Sequence, residues 1–307
     1  MEEDKVSRMA LIMAYCRGYH ATYETPKVFN DFLAYDLLGE EKRAYFDKLF
    51  IPPIQVIESF DPAFAATNPD QASIMAWVMQ FTPIALAISR AQYTEDSLEQ
   101  AIKRGVSQYV ILGAGLDTFA FRRPDLVEQL QVFELDHPAT QAYKRRRLVE
   151  LDWKLPKNLH FIPIDFTQKN LATELASSAF DTQSLSFFSW LGVTFYLTRD
   201  EIFDMLRSIA EVASAGSSII FDYFDSDVFI PGKASPLMQK SLEDARQHGE
   251  PVKTGFNPSM LSAELASLGL NLQEDLSPHD IDKRFFEGRT DTYHAYELMH
   301  FASVVVK

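Results

Sequence analysis

Apolar positions recur at different spacings in the two parts of this chain. Up to about residue 105 the spacing is helical. SRMALIMAYCRGYHATY and VFNDFLAYDLLG both place apolar residues on one helix face, and the second ends on a glycine suited to a helix C-terminus. A longer apolar helix is expected over roughly 68–90, kinked or broken before Pro83, since proline there removes a hydrogen bond and crowds the preceding turn. TEDSLEQAIKRG reads as a further helix stopping at Gly105. No convincing strand precedes Tyr109.

Beyond Tyr109 the pattern changes to short apolar runs of strand length: YVILG, QVFELD, NLHFIPID, LSFFSW, GSSIIFDY and, last, FASVVV. Helical stretches separate them: PDLVEQL, PATQAYKRRRLVELD, LATELA, TRDEIFDMLRSIAEVA and PSMLSAELASLG. Thr198 and Glu201 stand in capping-box spacing at the start of one of these helices. Strands alternating with helices imply right-handed crossovers and a mostly parallel sheet with helices on both faces. The continuous hydrophobicity of YVIL and SIIF fits strands buried on both sides. An α/β, Rossmann-like fold is therefore expected. A helical N-terminal lid and acceptor-binding segment would occupy 1–95 and the core 96–307. An Asp-, Pro-, Gly- and Lys-rich insertion at about 225–257 would lie near a ligand mouth.

Charge narrows the range of partners. With 29 basic and 43 acidic residues the net charge is −14, which repels polyphosphate, so nucleic acid is not an expected partner. The basic run Lys144-Arg145-Arg146-Arg147 is read as a solvated helix face. One cysteine, Cys16, excludes an intramolecular disulfide and a multi-cysteine metal site. The start Met-Glu-Glu-Asp does not look like a signal peptide, and the apolar stretch 74–89 is shorter than the roughly 20 residues a membrane span needs. A soluble cytoplasmic protein without membrane attachment is expected.

The candidate chemistry centres on LGAGLDTFAFR. Gly113 and Gly115 occupy the turn after the first strand, where a parallel sheet binds its ligands and where missing side chains admit close approach to main-chain N–H groups. Asp136 ends the second run and can accept from both hydroxyls of a ribose. Asp165 ends the third and can take a bond from an adenine amino group. The loop could hold a dinucleotide, as in a nicotinamide-dependent oxidoreductase. After the second glycine, however, it continues Leu116-Asp117-Thr118, which lacks the usual third small residue and sets a negative charge where a pyrophosphate would lie. S-adenosylmethionine, cationic and free of phosphate, suits the loop better.

These residues bring in a family. SRMALIMAYCRGYHATYETPKVFNDFLA, ISRAQYTED, QYVILGAGLDTFAFR, VFELDHPATQAYKRRRL, FIPIDF, FSWLGVTFYLTRDEI and AGSSIIFDY together resemble the leucine carboxyl methyltransferase family, particularly its bacterial S-adenosylmethionine-dependent O-methyltransferases. The resemblance implies a class I methyltransferase fold with a mostly parallel sheet of seven strands. It implies that Arg90 grips the methionine carboxylate of the cofactor, that Gly113 and Gly115 form its loop, that Asp136 holds the ribose, and that Asp165 and Phe166 flank the adenine. It also implies an acceptor that is a small molecule or peptide-like natural product, methylated on a carboxyl or hydroxyl oxygen. Leu191, in LGVTFYL, departs from the glutamate that many relatives carry there, and a cofactor-binding protein without catalysis is the reading that departure allows. On the N-terminal helix Arg17 and His20 share a face and are candidates to pair with the acceptor or take its proton. His137 is read as structural. Tyr293, His294 and His300 lack ligand spacing, so no metal is expected.

Overall fold

The computed structural model describes residues 6–166, 168–247, 249–291 and 293–307. Its frame is one sheet of seven strands: β1 (Gln108–Leu112), β2 (Gln131–Asp136), β3 (Leu159–Pro163), β4 (Ser186–Trp190), β5 (Ser218–Phe224), β6 (Leu270–Leu276) and β7 (Met299–Val306). The order is β3-β2-β1-β4-β5-β7-β6. The strands β1 to β5 pair in parallel, and β7 is antiparallel to both β5 and β6. All five residues of β1 and of β4 are buried, as the unbroken apolar runs require.

Alternate side chains of the sheet feed two cores. Tyr109 and Ile111 of β1 point to one face, where Leu11, Tyr15 and Tyr93 of the N-terminal helices pack. Val110 and Leu112 point to the other, against Phe133, Phe188 and Ile209. The helix over the second face, Arg199–Val212, starts with the expected capping box: Glu201 Oε2 accepts from Thr198 N at 2.7 Å, and Thr198 Oγ1 accepts from Glu201 N at 3.4 Å. The strand β6 carries no continuous apolar run. Its LNLQEDL sequence is buried at the two ends and partly or fully exposed between, as befits the sheet edge.

The break expected before Pro83 is present: the apolar stretch forms two helices, Gln71–Met79 and Ile84–Lys103, bent by 60° around the residues preceding Ile84. Elsewhere the N-terminal helices differ from the periodic reading. The second of these two helices runs unbroken to Lys103, so TEDSLEQAIK is the latter half of one 20-residue helix. The division expected between residues 95 and 96 thus falls inside a helix, and one apolar core includes residues from both sides of it. Within VFNDFLAYDLLG only Ala34–Leu38 is helical. Asp31 is buried and accepts from Arg17 Nε at 2.8 Å and Thr118 Oγ1 at 2.6 Å, and these long-range bonds hold the preceding turn out of the helix.

The segment 225–257 folds back on itself. A helix, Pro236–Gln247, projects from it, and the two ends are joined by Ser226 N to Phe256 O at 2.9 Å and Phe256 N to Phe224 O at 2.8 Å. No single helix among the described residues is long and apolar enough to cross a membrane.

The basic run also needs correction. Lys144 is not solvated: it is 1% exposed and pairs with the equally buried Glu134 of β2 at 2.5 Å. Burial pushes the Glu134 carboxyl up to about 7, against the downward pull of Lys144. Arg147, beside it, donates to Leu37 O and Asp36 O, so the run joins the sheet-covering helix to the N-terminal helices. Removing one member of such a pair strands a buried charge. Lys144→Met alone should cost about 3–5 kcal/mol in urea unfolding, and Lys144→Met with Glu134→Leu should recover most of that loss.

Candidate active site

The loop after β1 is closed onto β2 by its own backbone. Gly113 N and Ala114 N both donate to Leu135 O, at 2.8 and 3.1 Å, and Asp117 N donates to Ala114 O at 2.8 Å. Gly113 and Gly115 have φ of +74° and +53°. A Cβ on Gly113 would stand 2.6 Å from Val193 Cγ2, and one on Gly115 3.2 Å from Ala10 Cβ. Positive φ makes a side chain strained at both positions, and at Gly113 the protein's own packing against Val193 opposes one as well, quite apart from any ligand. The helix that follows is a single turn, Phe119–Arg122, so the loop has almost no helix dipole to offer a phosphate.

Asp136, at the end of β2, is 9% exposed. One carboxylate oxygen accepts from Gly115 N and the other from His137 N at 2.6 Å. Burial raises its pKa, and the two backbone N–H groups act in the opposite direction. A carboxylate has about four acceptor positions, so two remain for a ligand's hydroxyls. His137, at the start of the Pro138–Glu150 helix, accepts from Ala139 N through Nδ1 at 3.4 Å, a capping role.

Arg90 is held on the other side of the loop. Its Nη1 donates to Asp222 Oδ2 at 2.7 Å, and Asp222 Oδ1 accepts from Gly192 N at 2.7 Å. Asp222 is fully buried in β5 and fixes both the guanidinium and the turn after β4. Sequence reading missed this residue, although one signal was present: a lone charge inside the otherwise apolar and aromatic run SIIFDYF. Leu191, next to Gly192, presents an apolar side chain at the same turn, so the carboxylate nearest Arg90 comes from β5.

A cavity of about 850 Å³ opens over the carboxyl ends of β1 to β4, where a parallel sheet binds ligands. It is bordered by all six residues expected to meet a cofactor, Arg90, Gly113, Gly115, Asp136, Asp165 and Phe166. Asp165 lies just past β3, which ends at Pro163. Leu191 borders the cavity too. Met9, Ile12, Met13 and Phe50 supply an apolar wall from the N-terminal helices, and Leu242, Ala245, Pro251 and Val252 close another side. The size is that of an ordinary small-molecule site.

The two candidates on the Arg8–Tyr23 helix do not act as a pair. Arg17 borders the cavity, with Nε on Asp31 Oδ2 and Nη2 on Leu116 O, both at 2.8 Å, and so staples the helix to the glycine loop. His20 is fully buried and lies off the cavity. Its Nε2 accepts from Val28 N at 2.8 Å and its Nδ1 meets Glu24 Oε2, which leaves the imidazole a packing role. Arg122 is likewise engaged, by Glu95 and Asp31. Because Gly113 combines positive φ with a close neighbour, Gly113→Ala should lower stability by about 3 kcal/mol or more, read from the urea midpoint.

Comparison with known proteins agrees with this geometry. The family model described as leucine carboxyl methyltransferase matches residues 10–210. A Bacillus subtilis (strain 168) protein named "Putative S-adenosyl-L-methionine-dependent methyltransferase YktD" is 39% identical over 308 residues, with 100% of each chain covered. A Mycobacterium avium (strain 104) protein with the same description is 29% identical over 177 residues, which are 56% of this chain and 55% of that one. Two solved structures share the fold at low identity. The DUF574 family protein from Streptomyces avermitilis MA-4680 has a TM-score of 0.54 at 12% identity, covering 99% of both chains. A protein from Thermobifida fusca YX titled a putative methyltransferase has a TM-score of 0.51 at 14% identity, covering 100% of this chain and 96% of that one. The chain belongs to the leucine carboxyl methyltransferase family and is a methyltransferase.

Proposed function

We propose that this methyltransferase transfers the methyl group of S-adenosylmethionine to a carboxylate oxygen of a small molecule or peptide-like natural product. The residues present fit that donor. Asp136 keeps acceptor positions for two ribose hydroxyls, the loop carries no phosphate-binding helix, and Arg90 retains guanidinium N–H groups beyond the one given to Asp222. Asp165 and Phe166 border the same cavity and would flank the adenine. When bound, the donor supplies a methyl on a positively charged sulfur, so that attack forms an oxygen–carbon bond and the carbon–sulfur electron pair returns to sulfur.

The chain's own task is positioning. The apolar wall from the N-terminal helices, with Leu242, Ala245, Pro251 and Val252, would exclude water and hold the acceptor in line with the methyl, at about 3 Å. One observation favours a carboxylate over a hydroxyl acceptor. Among the described residues, His137 is the only histidine bordering the cavity, and it caps a helix on the ribose side, while His20 is walled off. A carboxylate arrives ionised and needs no base, whereas an aliphatic hydroxyl must lose a proton.

Incubation with methyl-labelled S-adenosylmethionine and a panel of carboxyl and hydroxyl acceptors tests this reading. The expected product releases labelled methanol in mild alkali, as an ester does. Alkali-stable label would place the methyl on a hydroxyl instead. Asp136→Ala should weaken calorimetric affinity for S-adenosylhomocysteine by about tenfold or more. In the wild type that affinity should fall on acidification, and should begin to do so above the pH at which an ordinary carboxylate takes up its proton, about 4. The raised Asp136 pKa lets the carboxyl take up a proton above the usual carboxylate range, and the neutral carboxyl accepts more weakly from ribose and offers one acceptor position fewer.

A further inference from the structure

A run of aromatic rings lines the cavity at the carboxyl ends of β4 and β5. Phe195 and Tyr196, in the turn after β4, meet edge to face with centroids 4.6 Å apart. Phe224, the last residue of β5, stands 5.2 Å from Phe195, and Tyr296, shortly before β7, stands 6.3 Å from Phe224. All four border the active-site cavity. The 225–257 segment is tied to these rings at two points: Ser241 Oγ lies 3.1 Å from Tyr296 Oη, and Lys253 N donates to Phe195 O at 2.7 Å. Leu242 follows the first of these residues and Val252 precedes the second, and both border the cavity as well.

The nucleoside part of the proposed donor has its partners elsewhere. Asp136 ends β2 and Asp165 lies just past β3, whereas β5 is three strands from β2, about 14 Å at the usual strand spacing. The β4–β5 end is thus left to the donor's amino-acid end and to the acceptor. The rings offer that acceptor apolar surface. Tyr196 and Tyr296 are half-buried, so part of each ring remains for a ligand to cover. The charged residues that the 225–257 segment brings to the cavity are Asp244, Glu250 and Lys253. Asp244 and Lys253 are exposed and belong to the mouth, where water and salt screen them. Two acids against one base there oppose a second carboxylate on the ligand. A charge placed against the rings themselves would lose its hydration without gaining a partner.

We propose that Phe195, Tyr196, Phe224, Tyr296, Leu242 and Val252 form the subsite for the body of the acceptor, and that this body is apolar and carries no charge beyond the reacting carboxylate. The identity of the reacting group rests on the carboxylate reading above; the subsite does not. Straight-chain monocarboxylic acids of increasing length, the α,ω-diacids of equal length and the corresponding primary alcohols test the two parts separately, with transfer of label from S-adenosylmethionine as the readout. For the monoacids kcat/KM should rise about threefold to fourfold with each methylene until the rings are covered. Each diacid should be at least about tenfold poorer than its monoacid, since its second charge is desolvated without a partner. Leu242→Lys should narrow that gap about threefold to fivefold by giving the second carboxylate a partner, with calorimetric affinity for S-adenosylhomocysteine unchanged. Val252→Lys should do the same from the other tie point. A kcat/KM independent of length, a preference for diacids, or a gap that neither lysine narrows would overturn the subsite. Methylation of the alcohols in place of the acids, with the same rise per methylene, would sink the carboxylate reading and leave the subsite standing.

Discussion

A single buried carboxylate, Asp136, sets the geometry on which the site depends. Lying at the end of β2, it accepts from Gly115 in the loop after β1 and from His137 at the start of the next helix. Two segments that are separate in sequence are thereby fixed to one side chain. Withdrawing that charge from water is unfavourable, which is why its pKa rises, and only part of the loss is offset by the two backbone donors. Its remaining lone pairs face a cavity, so a ligand that donates there completes what the protein leaves incomplete.

The rest of the cavity follows a similar logic of engaged and unengaged groups. Arg17 and Arg122 are bound to Asp31, Glu95 and a loop carbonyl, and they serve to clamp the N-terminal helices against the glycine loop. Arg90 is held from one side by Asp222, which also orders the turn bearing Leu191 and Gly192. Arg90 thus brings positive charge to the cavity and Asp136 negative charge, the two groups that the carboxylate and ribose hydroxyls of the proposed donor would meet. Leu191, an apolar residue where many family members carry an acid, leaves that match intact because the acid beside Arg90 is supplied by β5.

Much of this was legible from local pattern. Six strands, the capping box at Thr198 and Glu201, the break before Ile84 and the cavity position of Gly113, Gly115, Asp136, Asp165, Phe166 and Arg90 all follow from period, turn chemistry and family motif. The edge strand β6 escaped because exposure on both faces of LNLQEDL removes the apolar signal. Helix boundaries at Thr94 and before Ala34 were misplaced, because capping and period report only local preference. A helix continues or stops according to what its neighbours bury.

The sequence by itself determined the alternation of strand and helix, the parallel sheet and the loop that ends β1, since each depends on residues close together in the chain. Tertiary structure alone decided which polar groups face ligand and which face protein. Arg17 and His20 sit one turn apart, yet one borders the cavity while the other packs against Glu24 and Val28. Lys144 is indistinguishable in sequence from its solvated neighbours until Glu134 of β2 is placed beneath it. Asp222 becomes a partner for Arg90 only when β5 and the Ile84–Lys103 helix meet. In each case the deciding partner is supplied by packing, and the desolvation of a charge, which makes the partner necessary, has no counterpart in the local pattern of residues.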